Sequence, residues 1–124
     1  MGQRAELSGP DLERGIPAAD LPDGVPLLGH AGGDAVVLVR ADGAIHALGA
    51  TCTHYGGPLA EGRVFGGALH CPWHHACFEL ASGRAHGPAL APVACWDVAV
   101  EGGTIRVGAR RVIAPPDARG PGSV

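Results

Sequence analysis

Short apolar runs separated by glycine-rich turns recur through the middle of the chain. The stretch Val25–His30 is followed by a Gly-Gly-Asp turn and then by Ala35–Arg40, whose consecutive Val-Val-Leu-Val residues are typical of a buried strand. An Asp-Gly pair at 42–43 leads into Ala44–Leu48, and this dipeptide is a strong signal for a β-hairpin. The pattern therefore predicts strands joined by tight turns.

The same alternation continues in the second half of the chain. Arg63–Phe65 and Ala68–His70 flank a Gly-Gly turn and predict a second, shorter hairpin. Pro92–Val100 has apolar residues at alternate positions, as expected of a half-buried strand, and a further Gly-Gly turn joins it to Thr104–Val107. The side chains expected on one face of that strand are Ala94, Trp96, Val98 and Val100. No helix of any length is indicated, so the predicted fold class is all-β with antiparallel sheets.

Composition narrows the classes of function. The 124 residues include 21 Gly and 11 Pro spread between the apolar runs, which suits one turn-rich domain. A net charge of −3 is too weak to indicate a nucleic-acid partner or an anionic membrane surface. The sequence shows no targeting segment and no apolar run of membrane-spanning length, so we expect a cytoplasmic protein without a membrane partner.

Proline and glycine residues near both ends also suggest where the domain begins and ends. We expect an irregular N-terminal segment over residues 1–15, one domain over 16–110, and a C-terminal tail or linker rich in Pro and Gly over 111–124.

Two short half-motifs carry the chemistry. Cys52-Thr-His54 and Cys71-Pro-Trp-His74 each combine one cysteine with one histidine, and sixteen residues lie between them. Two such loops can offer two thiolates to one iron and two imidazoles to a second iron. This is the ligand set of a Rieske [2Fe–2S] centre, in which two histidines replace two cysteines on one iron.

The flanking residues extend this match. The loops read Cys52-Thr-His-Tyr-Gly-Gly-Pro-Leu59 and Cys71-Pro-Trp-His-His-Ala-Cys-Phe78, and Gly87-Pro88-Ala89-Leu90 follows. Over about residues 20–108 the chain resembles the Rieske family. The second loop and Pro92-Val-Ala-Cys-Trp96 are most similar to the N-terminal Rieske domain of apoptosis-inducing-factor-like, FAD-dependent reductases.

The resemblance implies a fold, a cofactor and a role. The fold would be a Rieske-type antiparallel β-sandwich or barrel with an inserted cluster-binding subdomain at about residues 51–90. Cys52 and Cys71 would hold the inner iron of a [2Fe–2S] cluster, and His54 and His74 the outer iron. The chain would be an electron carrier rather than an enzyme, with a flavoprotein reductase as donor and an oxygenase or another redox protein as acceptor.

Departures from the family pattern bear on the reduction potential. High-potential members carry a disulfide between the loops, and a serine and a tyrosine whose hydroxyls bond to sulfur. The matching positions here are Gly57 and Trp73 for the disulfide and Ala76 and Phe78 for the hydroxyls. Because donors to sulfur stabilise its negative charge, their loss predicts a low-potential centre.

Other interpretations remain open. Zinc also accepts two cysteines and two histidines, but zinc motifs usually pair cysteine with cysteine and histidine with histidine. A zinc-stabilised interaction module is therefore the less favoured alternative. The chain could also be a detached N-terminal domain of an FAD-dependent NAD(P)H reductase. An oxygenase activity of its own would need a mononuclear iron in a separate domain, for which 124 residues are too few. Roles for His75, Cys77 and Cys95 are not assigned.

Overall fold

The computed structural model describes residues 9–51, 58–72, 77–86 and 91–112. Within these ranges the chain forms strands and two 3-10 turns, η1 (Ala18–Asp20) and η2 (Leu59–Glu61). The strands are β1 (Ile16–Pro17), β2 (Leu27–Ala31), β3 (Asp34–Ala41), β4 (Ala44–Gly49), β5 (Arg63–Phe65), β6 (Ala68–His70), β7 (Cys77–Glu79), β8 (Ala85–His86), β9 (Cys95–Glu101) and β10 (Thr104–Arg111). No helix of the described ranges has the length and apolar character needed to cross a membrane.

The strands form two antiparallel sheets. One sheet has six strands in the order β1-β10-β9-β4-β3-β2, and the other has four in the order β5-β6-β7-β8. The smaller sheet is inserted in the chain between β4 and β9, which are themselves neighbours in the larger sheet. The predicted all-β fold with an inserted subdomain is confirmed.

Two predicted hairpins have the expected turns. In the β3–β4 turn Asp42 has φ 53° and Gly43 has φ 80°, so both central residues adopt the left-handed conformation that a type I′ hairpin requires. The β5–β6 hairpin has the predicted bounds, with Phe65 paired to Ala68 across the Gly-Gly turn. Local turn chemistry therefore sets the register of both hairpins.

Strand β9 differs from its predicted alternating pattern. Cys95 and Trp96 are both buried, whereas Val100 is 51% exposed. The first residues of β9 pair with β4 as well as β10, so they lie inside the sheet with core packed on both faces. The remainder of β9 pairs with β10 alone, which leaves Val100 at the exposed end of a two-stranded hairpin.

Each face of the larger sheet contributes to a separate core. Val37, Val39 and Leu48 pack with Leu69 and Phe78 of the smaller sheet, which joins the two sheets. The opposite face packs a second cluster, which includes Leu12, Ile16, Leu21, Val36, Leu38, Trp96, Ile105 and Val107. The apolar run of β3 is continuous because its residues alternate between these two cores.

The segment before β1 packs against the domain. The backbone N–H of Leu12 donates to the carbonyl of His30 on β2 (2.7 Å), and the carbonyl of Leu12 accepts from the N–H of Val107 on β10 (3.0 Å). The Leu12 side chain is fully buried, and a Cβ on Gly29 would lie 2.8 Å from it. Leu12 thus links two strands that are far apart in the sheet order, which curls the sheet. The domain boundary at residue 16 remains a proposal.

Arg40 holds the segment after β1 against the end of β3, and its replacement should be measurably destabilising. Its Nε donates to the carbonyl of Leu21 (2.9 Å) and its Nη2 to the carbonyl of Ala18 (2.7 Å). Arg40→Met is expected to lower the free energy of unfolding by about 2 kcal/mol, because two partly buried, charge-assisted hydrogen bonds are lost. Urea unfolding measures this. Arg63→Met, at an exposed arginine, is the control, and equal stability of the two variants would contradict the assignment.

Candidate metal centre

Only one of the four predicted ligands lies in the described ranges. Cys71 directly follows β6 and is 4% exposed, in the core between the two sheets. Cys52, His54 and His74 lie outside the described residues. The described part of the site consists of Cys71 and the residues that flank the predicted ligand loops.

The two ends of the first loop meet. Thr51 and Pro58 form an isolated antiparallel bridge, and the N–H of Leu59 donates to the carbonyl of Ala50 (2.9 Å). Leu59, in η2, is fully buried, which anchors the return of the chain in the core. Thr51 and Pro58, the described residues on either side of the first loop, therefore lie side by side.

The chain enters the second loop (residues 71–76) and a third loop (residues 87–90) from one end of the smaller sheet. His70 pairs with Cys77, so β6 and β7 close the stretch 71–76 at its base. Cys77 also pairs with His86, after which residues 87–90 leave β8. Because these strands are antiparallel, the end of β6, the start of β7 and the end of β8 lie at the same edge of the sheet.

A glycine contact joins the segment after η2 to the end of β6. Gly62 follows η2, and a Cβ built on it would overlap the carbonyl oxygen of His70. The residue that follows η2 thus packs directly on the residue just before Cys71. Only glycine allows this approach, so Gly62 fixes the separation of the two loop bases.

The return of the third loop is tied to the first. The N–H of Gly49 donates to the carbonyl of Ala94 (2.8 Å), and the N–H of Val93 donates to the carbonyl of Gly83 (3.0 Å). Gly49 is two residues from Thr51, so the chain after residue 90 comes back beside the base of the first loop. The described residues that flank the three loops therefore lie near one another, around the end of β6 and Cys71.

These residues fit a metal cluster held by loops. A buried thiol in an apolar setting suits a soft, sulfur-liganded metal, because a thiolate there needs a cation to offset its charge. The described backbone brings the residues that flank the first loop close to the end of β6, where Cys71 lies. Assignment of Cys52, His54 and His74 as ligands remains a proposal from the sequence.

The remaining cysteines and histidines are distributed over the strands. Cys77 is half-buried, Cys95 is buried, and both are free thiols. The Cys95 thiol contacts the carbonyl of Ser82 at 3.6 Å. His46 lies on β4, and burial lowers its pKa despite the opposing charge of Asp42. No role in the centre follows for these groups, and His75 lies outside the described residues.

Sequence reasoning did not identify Gly62 and Leu59 as supports of the site. Leu59 was recognised as part of the motif but not as a core residue. Gly62 follows the motif as Ala60-Glu61-Gly62, and a glycine there gives no signal of which backbone it will contact. That contact depends on the packing of η2 against the end of β6.

Comparison with known proteins agrees with the family predicted from the half-motifs. A family model described as the Rieske [2Fe–2S] domain matches residues 15–97. Apoptosis-inducing factor 3 of Mus musculus is 50% identical over 48 residues, which is 39% of this chain and 8% of that protein. The chain therefore spans less than a tenth of this relative's length.

Smaller relatives are covered more completely. The ferredoxin component of an alkene monooxygenase system from Xanthobacter autotrophicus is 32% identical over 90 residues, or 72% of this chain and 74% of that protein. The ferredoxin of carbazole 1,9a-dioxygenase from Nocardioides aromaticivorans superposes with a TM-score of 0.73 at 29% identity, over 76% of this chain and 93% of that chain.

Proposed function

The chain belongs to the Rieske [2Fe–2S] domain family, and we propose that it is a ferredoxin-type carrier that passes single electrons from a flavoprotein reductase to an oxygenase or another redox protein. A Rieske cluster is the family's cofactor, and one-electron transfer is the chemistry that it supplies. The observation that carries the proposal is the convergence of the three loop bases around buried Cys71.

Four residues would hold the cluster. We propose Cys52 and Cys71 on one iron and His54 and His74 on the other. The apolar packing around Cys71 by Leu59, Leu69 and Phe78 would exclude water from the thiolate side. Neutral imidazoles in place of two thiolates leave the cluster less negative, which eases the addition of an electron.

The role of a carrier rather than an enzyme is supported by the relatives. Alkene monooxygenase and carbazole 1,9a-dioxygenase systems each include a ferredoxin that this chain covers over most of its length. A solved structure shows the oxygenase and the ferredoxin of carbazole 1,9a-dioxygenase in complex. One chain of that complex superposes on this chain with a TM-score of 0.71. We propose that this chain likewise passes its electron to an oxygenase or another redox protein. We also propose that a flavoprotein reductase is the donor and that the protein is located in the cytoplasm.

A second candidate is the N-terminal Rieske domain of an FAD-dependent NAD(P)H reductase. It is favoured by the identity of 50% to apoptosis-inducing factor 3 over 48 residues. In that case the Pro-rich stretch Ala114-Pro115-Pro116 would be a linker. Sequencing of the reading frame beyond residue 124 distinguishes the two: a continuous flavoprotein frame supports the reductase, and a stop codon supports the separate carrier.

The midpoint potential of the carrier should be low. Phe78 occupies the position at which high-potential members have a tyrosine, and it is fully buried without a hydroxyl to donate to sulfur. We therefore expect a midpoint near about −150 mV, at the lower end of the range for Rieske centres. A spectroelectrochemical titration measures it, with Phe78→Tyr expected to shift the value upwards. A clearly positive midpoint in the unmodified protein would contradict this expectation.

A further inference from the structure

The smaller sheet has one face in the core and one face towards solvent. Directly paired residues of antiparallel strands point to the same face. Leu69 and Phe78, which pair with each other, are fully buried between the sheets. The residues that alternate with them form the outer face: Arg63, Phe65, Ala68, His70, Cys77 and Glu79. Ala68 is the one buried member of this face, at 8% exposure.

An ordered aromatic pair lies on this outer face. Phe65 is 58% exposed, the highest value among the large hydrophobic side chains of the described ranges. Its ring stacks on the imidazole of His70, with centroids 3.8 Å apart and planes 8° from parallel. The His70 ring nitrogen Nε2 also lies 3.4 Å from the carbonyl oxygen of Phe65. The exposed ring is thus held in one orientation directly beside the residue that precedes Cys71.

The two charged side chains of the outer face, Arg63 and Glu79, differ in their contacts. Glu79 accepts a hydrogen bond from the Ser82 hydroxyl (2.8 Å) and lies 3.9 Å from the Arg84 guanidinium. Arg63 pairs with His70 in register and is exposed, and among the described residues no carboxylate forms an ion pair with it. Glu61 belongs to η2 rather than to the sheet. The outer face therefore combines an apolar ring with a cation that has no ion pair within the described part of the chain.

We propose that Arg63, Phe65 and His70 form the docking surface for an acidic redox partner, one that presents carboxylates around an apolar contact. This inference rests on the proposed function, because the surface adjoins the proposed ligand Cys71 and would bring a partner's redox group close to the cluster. Exposed aromatic rings are frequent hot spots of interfaces, and the stacking on His70 reduces the ordering cost of binding. Arg63 would steer the approach of an acidic partner.

The test uses the cluster-loaded full chain and two reductants. Flavodoxin hydroquinone, an acidic one-electron flavoprotein, is the docking probe, and the semiquinone of lumiflavin is a small neutral reductant that needs no docking surface. Stopped-flow and flash photolysis give the second-order rate constant for each. Phe65→Ser is expected to slow reduction by flavodoxin about tenfold, a loss typical of an interface hot spot. Arg63→Gln should slow it and also weaken its dependence on salt.

Matched controls come from the larger sheet. Val100→Ser removes a side chain that is 51% exposed, and Arg106→Gln removes an exposed arginine on β10. Both should keep the flavodoxin rate of the unmodified chain. Reduction by lumiflavin, the visible spectrum and the midpoint potential should be the same in all five proteins.

Several results would overturn the proposal. These are an unchanged flavodoxin rate in Phe65→Ser, an equal loss in the controls, or no reduction of the unmodified chain by flavodoxin when lumiflavin reduces it. Self-association that Phe65→Ser abolishes, seen by sedimentation, would assign the surface to a second copy instead. Failure of lumiflavin to reduce the unmodified chain would reject the proposed function itself.

Discussion

A Cys71→Ala chain is expected to lose its iron and its colour. Alanine offers no ligand atom, and Cys71 is the proposed thiolate at the point where the loop bases converge. Loss of a ligand removes more affinity than loss of a supporting contact, which alone costs tenfold or more. We therefore expect bound iron per chain to fall by more than about tenfold, measured by iron and acid-labile sulfide determination and by the visible spectrum.

Cys77→Ala is the matched control for this experiment. Cys77 is only six residues further along the chain and has a half-buried free thiol, but it is outside the ligand pattern. It should retain the iron, sulfide and spectrum of the unmodified chain. Full iron content in Cys71→Ala, or equal loss in both variants, would refute the assignment of Cys71 as a ligand.

Gly62→Ala is expected to destabilise both the fold and the centre. The added methyl group would overlap the His70 carbonyl oxygen, and a backbone atom cannot rotate away as a flexible side chain could. Either the end of η2 or the end of β6 must move, which separates the bases of the first and second loops. Forced overpacking of this kind costs about 3 kcal/mol. For a domain of this size that lowers Tm by about 10–20 °C.

Gly49→Ala provides the control because its new Cβ has room. The nearest atom would be the Val93 Cβ at 3.6 Å, an ordinary van der Waals contact. Calorimetry and iron determination on both variants separate the two effects. We expect Gly49→Ala to keep the Tm and the iron content, and Gly62→Ala to lose both. A Gly62→Ala chain with unchanged Tm would contradict the proposed role of the contact.

The local parts of the fold could be predicted from the sequence. Strands β2, β3 and β4 and the β5–β6 hairpin follow from apolar runs and from turn dipeptides whose residues accept positive φ. These signals depend on neighbours in the chain, so the sequence alone carries them. The Rieske family was likewise predicted from the half-motifs and is confirmed by the match over residues 15–97.

Features that depend on distant contacts were not predicted. Strands β7 and β8 are three and two residues long, too short for an alternating pattern, and they form by pairing with β6. Leu12 lies in a polar, irregular stretch, yet its burial between β2 and β10 links the two strands. Alternation in β9 fails at Cys95 because the second sheet covers the face opposite Trp96.

The candidate site also has one part that the sequence predicts and one part that it does not. Residue types at 52, 54, 71 and 74 predict the donor set, since ligand chemistry depends on the side chains themselves. The supports of that set were not predictable, because the contact of Gly62 with His70 arises only when η2 packs against β6. The same packing brings Leu59 and Cys71 into one core.

The most direct test of the account is a metal and sulfide count on the purified protein, combined with electron paramagnetic resonance after reduction by dithionite. The account predicts two iron atoms and two acid-labile sulfides per chain, as in the [2Fe–2S] cluster of the family, and a paramagnetic signal that appears only on reduction. A colourless protein with one zinc atom per chain, no labile sulfide and no signal after reduction would contradict it.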